Sequence, residues 1–372
     1  MNFDFSDDQK LLRENVRSFL AKEAPLTLCR QVLETDSSYS ASLWQAVAGQ
    51  GWLGTAIPES YGGAGFGRLE LAVIAEELGR VLAPVPFGPT VYLAAEALLV
   101  AGTEEQKQQY LPELGRGGLI ATLAHSEGPG ESGERLPKTS MRSGKLTGEK
   151  TPVADGNIAD LALVTAKSGR EVGLAIVDLR QPGVTRVPLQ SLDPSRSVAT
   201  LRFERVPATW LGGQPCGWNT IHHIFDRAAV LFAFEQLGGA QRAFEITREY
   251  TLNRYAFGRP IGSFQALKHR LADWYVELEL TRSNCYYGAW ALSNEAPELA
   301  VAACGARVSA TNTFELASKE MIQMHGGMGF TWEHDAHLFY RRARYLAAIL
   351  GPAPVWRERL IACLEAREAA SS

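Results

Sequence analysis

The sequence predicts a multidomain α+β protein. A helical domain is expected over 1–116, a small antiparallel β-barrel or sandwich over 117–216, and a helical bundle over 217–372. Three observations predict this order. Helical periodicity occupies both ends of the chain, short β-rich runs occupy the middle, and the pattern changes near Gly115-Arg116-Gly117-Gly118 and again at Trp218. Composition permits a large core, since 46% of the 372 residues are apolar and 21% are charged.

The elements follow in order. Ser6 and Gln9 stand at capping-box spacing, and Leu12, Val16, Phe19 and Leu20 then share one helical face. Helices are expected over 41–51 and 68–82. The Pro/Gly cluster Pro58-Glu59-Ser60-Tyr61-Gly62-Gly63-Ala64-Gly65 between them reads as a loop. Thr103 can cap a fourth helix. In the middle segment 161–166, 172–178 and 199–206 are β-rich, with Gly144, Gly148, Gly156, Gly169 and Gly183 as punctuation. That spacing is the ~8–12-residue rhythm of a small all-β domain. In the last segment Leu271, Trp274, Tyr275 and Leu278 make a stripe, and 300–324 reads as a long helix. Short turns at 259–262 and 326–329 imply a bundle.

Several classes are excluded. The net charge of −4 is the wrong sign for a nucleic-acid binder. No apolar run reaches the ~18 residues of a membrane span, and the N-terminal residues show no leader pattern. The five cysteines are scattered and odd in number, so reduced thiols in a cytoplasmic enzyme are expected. No Cys/His cluster has metal-ligand spacing: His222-His223 face different ways on a helix, and His325, His334 and His337 carry no such spacing.

Two motifs carry chemistry. The run 254–265 (Arg254, Phe257-Gly258, Ile261-Gly262, Phe264-Gln265) joins two helices. A guanidinium there can take a phosphate, and the next helix start adds N–H donors. An ordinary turn with a solvated arginine is the competing reading. The run 323–330 (Gln323, His325-Gly326-Gly327, Gly329-Phe330) lets backbone approach a ligand. It follows no strand and lacks GK[ST], so it is neither a Rossmann fingerprint nor a P-loop. Taken alone, the run is explained better by a helix C-cap and tight turn.

Together with Glu59-Ser60-Tyr61-Gly62-Gly63, Ala75-Glu76-Glu77-Leu78-Gly79, Gly102-Thr103-Glu104-Glu105-Gln106-Lys107 and Arg341-Arg342-Ala343, these runs resemble the acyl-CoA dehydrogenase family over nearly the whole chain. The resemblance implies a C-terminal four-helix-bundle domain and α,β-dehydrogenation of an acyl-CoA thioester with FAD. It also implies electron-transfer flavoprotein as acceptor, and a homotetramer or a heterotetramer with a paralogous subunit. Fatty acid or steroid catabolism is the expected setting. By motif, Arg254, Phe257 and Gln265 hold FAD phosphates and adenosine, and Gln323, Gly326 and Gly327 reach a neighbour's FAD. Ser126 and Ser132 keep hydroxyls in a degenerate flavin loop. The family's GxKxWIT strand reads Gly148-Glu149-Lys150-Thr151-Pro152-Val153-Ala154, with Pro152 in place of the aromatic and Ala154 in place of the hydroxyl.

The base departs furthest. The family chemistry needs a carboxylate to take the α-proton and donors to polarise the thioester carbonyl. Leu350 and Ala228 occupy the two positions where the family places Glu. Asp226 lies two residues before Ala228 and is the candidate base, provided the helix start is shifted. Glu235, two turns beyond Ala228, is a lesser candidate, and Glu333 and Asp335 are remote ones. The rival readings are a non-catalytic partner subunit and a flavin oxidase or monooxygenase on the same fold.

Overall fold

The computed structural model describes residues 6–35, 37–128 and 136–371. Eleven α-helices and an eight-stranded sheet organise these residues. The N-terminal helices are α1 (Asp7–Glu23), α2 (Leu26–Glu34), α3 (Ala41–Gly49), α4 (Arg68–Arg80), α5 (Glu96–Ala101) and α6 (Glu104–Gly115), with a π-helical stretch Gly88–Ala95 running into α5. Both expected caps form. Ser6 and Gln9 exchange backbone–side-chain bonds of 3.0 and 3.2 Å, as do Thr103 and Gln106 at 3.0 and 3.3 Å.

The sheet comprises β1 (Ala121–Ala124), β2 (Ser140–Arg142), β3 (Lys145–Ala154), β4 (Leu161–Ser168), β5 (Glu171–Asp178), β6 (Val184–Pro188), β7 (Val198–Pro207) and β8 (Thr209–Trp210). Its order is β6-β7-β3-β2-β4-β5-β8, with β1 on β4. The C-terminal helices are α7 (Gly217–Asn253), α8 (Gln265–Ser293), α9 (Leu299–His325), α10 (Ala336–Ala348) and α11 (Ala353–Ser371).

The expected fold class is the one observed, with two differences. The sheet is mixed, because β1 and β2 run parallel to β4 while the other pairs are antiparallel. A parallel pair needs a long crossover, and the chain between β1 and β4 provides one. Strand rhythm alone does not reveal strand direction. Secondly, the described residues of the C-terminal segment hold five α-helices rather than four. The extra helix, α11, leaves Ile361 and Leu364 exposed and has no continuous apolar stripe to announce it.

The chain divides into two compact units. One gathers the described residues of 1–30, 72–83 and 229–372; the other gathers those of 31–71 and 84–228. In the first, α4 crosses α7 on two glycines: a Cβ on Gly79 would strike the carbonyl of Glu235, and one on Gly238 that of Glu76. Glu76 then takes Arg13 of α1 at 2.9 Å and Arg282 of α8 at 3.0 Å, and Glu77 takes Arg17 at 2.7 Å. Both carboxylates are buried, so each needs its cations. Of the α8 stripe, Trp274 and Leu278 face the core while Tyr275 is 52% exposed. In the second unit Thr90 of the π-helical stretch exchanges bonds with Ala121 at 3.1 and 3.2 Å, fixing that stretch on β1.

Candidate functional site

The bundle unit presents the first group of candidates. Arg254 follows α7, its N–H bonded to the Tyr250 carbonyl at 2.8 Å and its carbonyl accepting from Ile261 N–H at 2.8 Å. These bonds close a two-residue ladder, Tyr255–Ala256 against Arg259–Pro260. Phe257 sits at its tip with φ +54° and is 94% exposed. Its ring meets Phe264 edge-on at 6.2 Å, and the Arg259 guanidinium lies 4.1 Å over Phe264. Gln265 is the exposed first residue of α8. Phe264 gives that helix no side-chain cap, so its first N–H groups stay open to an acceptor.

The second group lies at the end of α9. Gln323 and Gly327 are exposed, and Gly326 adopts φ +60°, ψ −135°, a region that only glycine enters without strain. The structure brings the two groups together through Tyr250. Its ring stacks on His325 at 4.2 Å and its hydroxyl reaches the Met328 sulfur at 3.8 Å, while its carbonyl holds Arg254. His325 donates from Nδ1 to the Met321 carbonyl at 2.7 Å, which fixes the ring. Neither Tyr250 nor His325 carries a motif that points to this role. The spacing of Tyr250 one helical turn before Arg254 was the available signal.

The β unit holds the remaining candidates. Ser126 follows β1, and its Oγ accepts from Gly128 N–H at 3.3 Å. Ser132 lies outside the described residues. On β3, Pro152 is exposed and brings no N–H, Val153 is buried, and the Ala154 carbonyl accepts from Thr122 Oγ at 2.6 Å. Lys150 is buried and donates to Glu127 at 2.7 Å and to the His125 carbonyl at 3.1 Å. Burial opposes the Glu127 charge, but Lys150 and the N–H groups of Lys138 and Thr139 prevail and hold the carboxyl down to about 2.

Asp226 lies on α7 and is 3% exposed. Its neighbour Arg227 bonds Glu96 at 2.8 Å, and Arg68 takes the other oxygen of the same carboxylate at 3.2 Å. Ala228 is fully buried. Leu350 stands in the α10–α11 linker with its carbonyl accepting from the Trp356 indole at 3.0 Å. Glu235 is buried in the bundle, where Arg307 is pushed down to about 10 by burial and pulled back up by Glu235. Glu235 is thus the counter-charge of a buried guanidinium, a poor position for a base. Among the described residues no group of three or more His, Cys, Asp or Glu side chains could hold a metal ion, and no helix is long and apolar enough to cross a membrane.

Profiles of known families match both ends of this chain: the acyl-CoA dehydrogenase N-terminal domain over residues 6–118 and its C-terminal domain over 216–364. The chain belongs to the acyl-CoA dehydrogenase family. It is 36% identical over 345 residues to acyl-CoA dehydrogenase IpdE2 of Mycobacterium tuberculosis, covering 92% of this chain and 93% of the relative. Its fold is similar to that of a variant of the Tcur3481–Tcur3483 steroid ACAD, with 31% identity, TM-score 0.88, and 98% and 99% of the two chains covered. It is also similar to the ChsE4–ChsE5 complex from Mycobacterium tuberculosis, with 28% identity, TM-score 0.89, and both chains covered in full. The family's enzymes are oxidoreductases acting on the CH–CH bond of acyl-CoA.

The residues present fit the family's FAD unequally. In the bundle unit Arg254 has no side-chain partner among the described residues, and the buried Ser263 Oγ beside the α8 start is also without one. An uncompensated guanidinium, an orphaned hydroxyl and open helix N–H groups suit a pyrophosphate. In the β unit the Ser126 hydroxyl and the Ala154 carbonyl already have partners.

Proposed function

We propose that this chain works in a two-chain acyl-CoA dehydrogenase that desaturates a bulky, steroid-like acyl-CoA in the cytoplasm. In this reading Arg254, Phe257 and Gln265 hold the phosphate and adenosine end of FAD, the 323–329 loop reaches a neighbouring subunit's FAD, and the unlike subunit supplies the base. Bound FAD would accept the hydride, and an electron-transfer flavoprotein would reoxidise it. Around it, this chain orients the cofactor with a guanidinium and helix N–H groups, while the Tyr250–His325 stack keeps the two binding runs in register.

The observation that carries the reading is Leu350, a side chain that cannot take a proton, at the α10–α11 linker. The two-component names of the similar structures support it. A second reading keeps the base in this chain, at Asp226, a carboxylate buried on α7. The deciding experiment is to purify the chain alone and co-expressed with a paralogue, then record flavin content and anaerobic reduction with a panel of acyl-CoA esters. Reduction that appears only on co-expression supports the two-chain enzyme. Full reduction by the lone chain removes it.

A further inference from the structure

His125 follows β1, one residue before Ser126, and two aromatic residues of α7 meet it. Phe225 meets its imidazole edge-on at 5.0 Å and Trp218 at 5.8 Å, while Trp218 stacks on His222 at 5.7 Å. Trp218, His222 and Phe225 follow i, i+4, i+7 spacing on one face of α7 and are only half-buried, although Ile221 and Ile224 beside them are fully buried. The stripe is therefore an open aromatic wall.

Within it the imidazole is held but not saturated. Nδ1 pairs with the Thr165 hydroxyl at 3.1 Å, and among the described residues Nε2 has no hydrogen-bond partner. Thr165 is buried on β4, so it fixes the ring plane and leaves Nε2 as the one polar atom the ring offers. Nearby charges are already matched: the Lys150 ammonium is bound by Glu127 and by the His125 carbonyl. Burial, followed by the charges of Lys150 and His222, lowers the imidazole to about 4. It is neutral at working pH, and a neutral imidazole between aromatic edges suits an uncharged oxygen rather than a carboxylate.

We propose that His125 is a specificity-determining residue, its Nε2 hydrogen-bonding an uncharged hydroxyl or ketone oxygen on the ring of a cyclic acyl group. The proposal rests on the acyl-CoA reading above and narrows its substrate class from bulky to ring-oxygenated. A site built to pair such an oxygen rejects the analogue lacking it, because Nε2 is then left desolvated and unpaired.

The test uses the flavin-loaded enzyme with its natural subunits. The probes are 3-cyclohexylpropanoyl-CoA and its three ring positional isomers bearing one hydroxyl, with affinity read from the flavin spectrum. The wild type should prefer at least one hydroxylated isomer by about three- to ten-fold, the range of one net hydrogen bond. His125→Phe, which keeps a flat ring, should abolish the preference with flavin content unchanged. His125→Gln, whose amide reaches roughly the place of Nε2, should retain it, and the wild-type preference should be flat from pH 6 to 9. Equal binding of all four probes by the wild type, or an undiminished preference in His125→Phe, overturns the role of His125 alone. Failure of every probe to bind overturns it together with the proposed function.

Discussion

The two regions that bear the family's flavin motifs differ in what their polar groups are doing. At the Tyr250 end of the bundle unit, Arg254, Gln265 and Gln323 project outward, and the α8 start has no cap. On the β unit, Ser126 is turned onto Gly128, Thr151 onto Thr200 at 2.7 Å, Thr122 onto Ala154, and Lys150 onto Glu127. The first region keeps exposed hydrogen-bonding capacity that water fills until a ligand or partner replaces it. In the second, these four hydroxyl and ammonium groups are partnered internally and gain less from a ligand, while His125 Nε2 stays open. A chain with one open half and one closed half is suited to completing a site assembled with another subunit.

The largest test of this contrast is the base. On the two-chain reading, Asp226→Asn leaves the rate of flavin reduction in the co-expressed enzyme within a few-fold of wild type. If Asp226 takes the α-proton, the rate falls by the ~10²–10⁴ typical of a lost general base. Single-turnover reduction separates the outcomes, and retained flavin content shows that the variant is folded.

Next comes the closed half itself. Glu127→Gln leaves the buried Lys150 uncompensated and should destabilise the protein by about 3–5 kcal/mol. The acid limb should also change. The folded carboxyl lies near 2, below its ordinary value of about 4.5, so its contribution is present above the ordinary value and is lost as pH falls from about 4.5 towards 2. Urea titrations across that interval should show this loss in wild type, and a flatter pH dependence in Glu127→Gln.

A smaller effect on stability, but a clear one on cofactor, belongs to the open half. Arg254→Ala should lower FAD affinity by about 1.5–3 kcal/mol, roughly ten-fold or more, with unfolding shifted by less than about 0.5 kcal/mol. An equal loss of stability would mean that Arg254 is structural and would erase the contrast between the halves.

Much of this was legible in the sequence. The caps at Ser6 and Thr103, the three named strands and the helices expected over 41–51, 68–82 and 300–324 follow from local chemistry, which is what a sequence pattern records, whereas α2, α5, α10 and α11 are not read from it. Parallel pairing of β1 with β4 depends on a non-local crossover, so it leaves no local signature. The same holds for the site. Arg254 and Gly326 announce themselves by motif, but their union through Tyr250 and His325 needs two helix ends to meet. His125 carries no motif, since its setting is built by Thr165, forty residues away in sequence, and by α7.

The smallest expected effect isolates backbone from contact. A Cβ at either Gly326 or Gly327 would meet nothing within 4 Å, so any penalty must come from the main chain. Gly326 sits at φ +60°, ψ −135°, whereas Gly327 is not in the left-handed region. Gly326→Ala should therefore cost about 1–3 kcal/mol, and Gly327→Ala a few tenths. Both alanines should be read against flavin retention in the assembled enzyme. If Gly326 serves only to end α9, its substitution lowers the unfolding midpoint and flavin loss merely tracks unfolding. If the conformation presents the 323–329 backbone to FAD, flavin is lost at temperatures where the fold persists. In that case Gly327→Ala, unstrained but carrying a methyl on the exposed face, should also weaken FAD while leaving the midpoint unchanged. Retained flavin in both variants would leave the open half with Arg254 and the α8 start alone.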